Sequence, residues 1–148
     1  MNSQGIRFMT GLSWFDALVP QGIPVPSSIL VSGPSGTGKP YVGLALAAAW
    51  LRQGGRVIFV PLHFAYPAVF EKGLRDLLDL DLRAFAGSHF FVLFDTELDP
   101  HKPAVEPVVH NSIRANLVNP QAWRKAVEAA SDALDGGGPI LVFGCALN

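Results

Sequence analysis

The stretch Gly33-Pro34-Ser35-Gly36-Thr37-Gly38-Lys39-Pro40 constrains this chain more than any other. It follows an apolar run at residues 28–32 (SILVS) and opens an Ala- and Leu-rich segment at residues 39–53. That strand–loop–helix setting is what a phosphate loop of the Walker A type requires. Glycines let the backbone curl until successive N–H groups point at one anion, and the following helix adds the partial positive charge of its N-terminus. Lys39 is expected to reach the β- and γ-phosphates of a nucleotide. Gly33, Pro34, Ser35, Gly36, Thr37, Gly38, Lys39, Pro40 and Tyr41 are the candidate nucleotide-binding residues. A glycine-rich turn with an unrelated lysine is the plainer alternative, and the coincidence of glycines, lysine and flanking elements argues against it.

Three more apolar runs lie at residues 57–60 (VIFV), 90–94 (FFVLF) and 139–143 (PILVF). All four runs are short, rich in β-branched or aromatic residues, and continuous, which suits parallel strands covered on both faces. Between them the pattern predicts helices. Residues 39–53 are stopped by Gly54-Gly55, and residues 66–80 place Phe70, Leu74, Leu77 and Leu78 on one face. Asn119-Pro120 supplies a cap and a first-turn proline for a helix through about Leu134, stopped by Gly136-Gly137-Gly138. Such alternation implies an α/β fold, a mostly parallel sheet flanked by helices, in a single domain over residues 1–148. Residues 95–118 carry Pro100, Pro103, Pro107 and two histidines with little periodicity, and are expected to form a long surface loop.

Composition narrows the partners. Eleven Lys/Arg against twelve Asp/Glu give a net charge of −1, with no cluster basic enough for a nucleic-acid groove or an anionic membrane. The longest apolar run, residues 41–51, is half of the ~20 residues a membrane span needs. Met1-Asn2-Ser3-Gln4-Gly5 lacks the charged start and apolar core of a secretion signal. The single Cys145 excludes an internal disulfide framework and fits a reducing compartment, so a cytoplasmic location is expected. His63, His89, His101 and His110 lack the spacing of a metal site, and Cys145, on an apolar strand, is expected to be buried filler.

Thr10-Gly11-Leu12, Phe15-Asp16-Ala17-Leu18, Gly22-Ile23-Pro24 and residues 28–33 (SILVSG) together resemble the entry of RecA-superfamily ATPases of the KaiC and RadA type. The resemblance is strong over about residues 9–60 and is a matter of strand spacing from 61 to 148. It implies a RecA-like P-loop core, ATP or ADP at the loop, and assembly into rings or filaments with nucleotide between subunits.

Three departures from that family pattern bear on chemistry. Pro40 stands where a Ser or Thr hydroxyl would coordinate Mg²⁺, and proline also lacks the backbone N–H. Tyr41 follows where the family has a small polar residue, either crowding the α-phosphate or stacking near a sugar. Matched to the second strand, His63 and Phe64 occupy the place of paired glutamates, one of which polarises the attacking water. Gly144 falls where the last strand should end in a metal-binding Asp. The expectation is a pseudo-ATPase: no catalytic residue, no Mg²⁺ held by the usual ligands, and weak nucleotide binding at best.

In the family the sheet continues past the last of these strands, whereas this sequence reaches Asn148, so the fold is expected to lack the C-terminal half and to leave a sheet edge for a second copy or another protein. Trp14, Trp50 and Trp123 are candidates for such contacts. Two alternatives stay open. One is an active ATPase in which Asp95, Glu97, Asp99 or His63 replaces the missing groups, or a partner supplies them across an interface. The other is a recombination- or repair-type subunit that binds single-stranded DNA, which the lack of clustered Arg and Lys disfavours.

Overall fold

The apolar runs in the middle of the chain form the buried centre of a parallel sheet. A computed structural model describes residues 5–62, 66–95, 97–99, 101 and 105–145. In chain order it contains β1 (Arg7–Phe8), α1 (Ser13–Asp16), β2 (Ile23–Pro24), α2 (Lys39–Arg52), β3 (Arg56–Pro61), α3 (Pro67–Leu78), a 3₁₀ turn (Leu82–Phe85), β4 (His89–Phe94), β5 (Ser112–Ala115), α4 (Pro120–Asp132) and β6 (Ile140–Cys145). The main sheet has the order β5-β4-β3-β6, all parallel, and β1 and β2 make a separate antiparallel pair.

Alternation along the strands divides the core into two layers. Val57, Phe59, Phe91 and Leu93 face α2 and α3, packing with Leu44, Leu51, Phe70 and Leu74. Ile58, Val60, Phe90 and Val92 face α4, whose Ala126 and Ala130 let the helix approach closely. This is the α/β arrangement expected of a RecA-like core. The helix signals hold: Asn119 Oδ1 accepts from the N–H groups of Gln121 (2.9 Å) and Ala122 (3.1 Å), and Pro120 starts α4. On α3, Phe70 and Leu74 are buried while Leu77 is exposed, so its buried face is narrower than the sequence suggested.

Two sequence readings are corrected. Residues 28–32, as apolar as the true strands, belong to no ladder, and Ile29, Leu30 and Val31 are 50 %, 90 % and 38 % exposed. Among the described residues no strand pairs with this segment on either side, so it stays outside the sheet. Conversely, the stretch read as a loop over residues 95–118 contains β5, paired in register with β4 through Phe91↔Ser112 and Phe94↔Ala115. Val105 and Val109 bridge back antiparallel onto Ala115 and Ser112, so this outer edge of the sheet is partly covered. His101 and His110 lie in that connection, and His110 takes a left-handed turn conformation (φ 55°).

The β1–β2 hairpin and α1 pack on α2 through Phe8, Phe15, Ile23, Leu46 and Ala49, with Trp50 meeting Phe8 edge-on at 4.7 Å. Trp50 is thus a core residue, Trp123 packs partly buried against the α4 layer, and Trp14 remains exposed. Asp16 fastens this corner. Its carboxylate accepts from Thr10 N–H (3.0 Å), the Thr10 hydroxyl (2.7 Å) and Gly11 N–H (2.8 Å). The Thr10 hydroxyl bond, followed by the backbone bonds, holds the Asp16 carboxyl below its ordinary 3.8. A carboxylate with a lowered folded-state pKa stabilises the fold above the unfolded value and loses that contribution as pH falls through the folded one. Asp81 acts in the same sense, pulled to about 2 chiefly by the Arg83 side chain. Melting midpoints recorded from pH 7 to pH 2 should therefore fall most steeply below pH 4. Asp16→Asn should lower the plateau and flatten the decline, and an unchanged profile would mean that the clamp does not stabilise the fold.

Candidate functional site

The loop between residue 32 and α2 keeps the geometry that its glycines allow. Gly36 (φ 77°) and Gly38 (φ 74°) sit in the left-handed region, and Gly38 is the N-cap of α2. A side chain at either position would be strained. Lys39 folds back so that its ammonium donates to the carbonyls of Gly33 (2.9 Å) and Pro34 (2.6 Å). The Thr37 hydroxyl donates to the same Pro34 carbonyl at 2.7 Å. Lysine has three donors, so an anion entering the loop can take the third or displace a carbonyl. Residues 33–38 are exposed, which leaves the concave face of the loop open to solvent.

Pro40 is the second residue of α2, and Tyr41 N–H bonds to Gly38 O at 2.9 Å. Proline is well tolerated here, so the helix starts normally, and position 40 offers neither a backbone N–H nor a side-chain hydroxyl. The Tyr41 ring is partly exposed beside the first turn. The loop's lysine, glycines and helix terminus can hold a phosphate group, and the side chain at position 40 offers no oxygen to a cation beside it.

Among the described residues, the remaining candidates form no cluster at the loop. His63 lies outside the described residues. On β6, residues 141, 143 and 145 face α2, and 140, 142 and 144 face the opposite layer. The residue of this strand end that faces the loop's helix is therefore Cys145 rather than Gly144, and neither is an acid. Burial raises the Cys145 thiol above its ordinary value, keeping it protonated and a poor ligand. Asp95, just past β4, accepts from Glu97 N–H (2.9 Å) and faces Arg114 at 3.5 Å. Two strand spacings of about 4.8 Å separate β4 from β6, the strand that lines one cleft with Lys39 and Pro40. Among the described residues no three His, Cys, Asp or Glu side chains converge on one point. His89 is a buried structural group: its Nδ1–H donates to Phe85 O (2.9 Å), and Nε2 accepts from the Asn111 amide (2.7 Å).

Between residues 28–31 and β6 runs a cleft of 810 Å³ that ends at Lys39 and Pro40. Sequence reasoning missed it because it expected residues 28–32 to be inside the sheet.

Comparison with known families decides what this loop belongs to. A family model of the KaiC ATPases matches residues 8–125, most of the chain and the entire loop. The chain belongs to the KaiC ATPase family. The KaiC match stops short of β6. An ATPase family AAA domain-containing protein of Arabidopsis thaliana is 28 % identical over 152 residues, an alignment that takes in 96 % of this chain. This KaiC-family chain spans 12 % of the length of that relative. No solved structure matches it. None of its helices, among the described residues, is long and apolar enough to cross a membrane.

Proposed function

We propose that this KaiC-family chain binds the phosphates of ATP or ADP weakly at Gly33–Tyr41, does not hydrolyse them, and acts through protein association. The observation that carries the reading is the conjunction at one loop: Lys39 and the glycines are poised for an anion, and Pro40 removes the metal-binding hydroxyl. Without a cation beside the triphosphate, its charge is met by one ammonium and backbone dipoles. Such a site neutralises less charge than a metal-loaded one and binds less tightly. The exposed apolar residues 29–31 and the edge of β6 support the association half, the partner being a second copy or another protein. The unpaired Cys145 suits a reducing compartment, and we place the chain in the cytoplasm.

Phosphate release from ATP in Mg²⁺ should stay at the buffer rate. Turnover that vanishes in Lys39→Ala would replace this reading with that of a working ATPase. Pro40→Thr restores both the N–H and the hydroxyl, so ATP affinity in Mg²⁺ should rise about tenfold, the worth of a hydrogen bond to a charged group. Calorimetric titration in Mg²⁺ and in EDTA measures it. A threonine variant without any gain in Mg²⁺ would show that position 40 does not set the metal response.

A further inference from the structure

A cavity of 270 Å³ lies at the end of α2 remote from the phosphate loop. α2 runs 14 residues from Lys39, about 21 Å at 1.5 Å per residue. Its last turn contributes Trp50, and the turn that follows contributes Gln53, Gly54 and Gly55. Strand β1 brings Arg7, the start of β3 brings Arg56, and Gly137 belongs to the turn before β6. Three distant parts of the chain thus meet there, and none of them belongs to the loop.

The two arginines are held but not neutralised. Arg56 donates through its Nη atoms to the carbonyls of Gly136 (3.1 Å) and Gly138, while its Nε is buried without a partner. Arg7 Nη1 donates to Gln21 O (3.3 Å) and Gly22 O (3.1 Å). Carbonyls satisfy N–H groups without cancelling a charge. The ion pairs among the described residues involve other groups, so neither guanidinium has a carboxylate partner there. Met1-Asn2-Ser3-Gln4, just before β1, contain no acid either. The C-terminal end of α2 offers about half a negative charge, so two guanidiniums leave a surplus of about 1.5 positive charges. Tying turns in place explains the bonds to carbonyls. It does not explain two full charges sharing one cavity, or a buried donor that calls for an acceptor.

The other walls define the rest of the ligand. Ile6, Phe8, Trp50 and Pro139 are apolar, and the Trp50 indole N–H is already spent on Arg56 O (3.1 Å). The ring therefore offers a surface and no donor. A Cβ on Gly54 or Gly137 would meet nothing within 4 Å, so the two turns leave open space. A volume of 270 Å³ equals that of about nine liquid waters. It suits a molecule of about that many non-hydrogen atoms, well short of a nucleotide.

We propose that this cavity binds a small organic anion, a carboxylate or phosphate monoester carrying one flat apolar group. Its oxygens bridge Arg7 and Arg56, and its apolar body lies against Trp50 and Pro139. The site goes beyond the proposed function and does not depend on it, because Lys39 takes no part.

The test uses the full chain carrying Lys39→Ala, which takes the phosphate loop out of the measurement. Nitrogen–proton spectra follow the Trp50 indole and the amides of Gly54, Gly55 and Gly137 during titration with benzoate, phenyl phosphate or benzyl alcohol. One or both anions should shift these signals to saturation, the tighter of the two identifying the acid group, and the neutral alcohol should not. Arg7→Gln, at an exposed position, should weaken the binding about tenfold, the worth of a hydrogen bond to a charged group, while the melting midpoint holds. Gly137→Glu supplies a carboxylate from the chain itself. It should block both anions and raise the melting midpoint above that of Gly137→Gln, which has the same size without the charge. Three results overturn the proposal. They are no shift at about 20 mM of either anion, equal shifts from benzyl alcohol, and unchanged affinity in Arg7→Gln.

Discussion

Phe59→Ala is expected to remove about 3–5 kcal/mol of stability, the range for deleting a fully buried aromatic. Phe59 has no exposed surface and lies at the centre of an aromatic group: Phe91 stacks on it at 5.1 Å, and Phe70 and Phe143 meet it at 6.0 and 6.3 Å. It comes from the middle of β3 and faces α2 and α3, so three elements lose contacts together. Against a total of about 5–15 kcal/mol, that loss unfolds a sizeable fraction of the chain at physiological temperature. Leu30→Ser, at a 90 % exposed position, should change stability by less than about 0.5 kcal/mol. Urea unfolding of both variants checks the contrast, the midpoint moving and the slope holding. A Phe59→Ala loss below about 1 kcal/mol would show that the sheet and helices are not packed around this ring.

Lys39→Ala should weaken ATP binding by about 10- to 100-fold, the worth of one or two hydrogen bonds between charged groups. The ammonium is the one full positive charge in the loop. The variant also frees the carbonyls of Gly33 and Pro34, which Lys39 now holds, so the loop loses shape as well as charge. Because the loop is exposed, the melting midpoint should barely move. Titration with ATP in EDTA separates the two effects. If alanine leaves affinity unchanged, any nucleotide bound by this chain is held elsewhere.

The elements that the sequence predicts well are those whose signals are local. α4 is marked at its start by Asn119-Pro120, and the cap bonds follow from those two residues alone. α2 begins at Lys39 because Gly38 takes the left-handed conformation that ends the loop. Strands β3, β4 and β6 come within one or two residues of their apolar runs. What fails is whatever depends on a partner. Residues 28–32 read like β3 but find no paired edge, whereas Ser112-Ile113-Arg114-Ala115 has a single large apolar residue and becomes a strand because β4 offers its edge.

The site divides in the same way. The loop is legible as a contiguous motif, Gly33 to Lys39, in the sequence itself. Asp16 was legible as a part of the family pattern, though its bonds to Thr10 and Gly11, six and five residues earlier, were not foreseen. Matching β6 by sequence put Gly144 at the acid position, while strand alternation turns Cys145 toward α2. A one-residue shift changes which face a side chain occupies, and sequence alone does not fix it.

The central claim is that this chain keeps a seat for phosphate without a seat for its metal. Calorimetric titration of the purified protein with ATP, in Mg²⁺ and again in EDTA, tests it most directly. The account predicts weak binding with dissociation constants that agree within about threefold, a difference below 1 kcal/mol. Binding that tightens about tenfold or more when Mg²⁺ is supplied would contradict it.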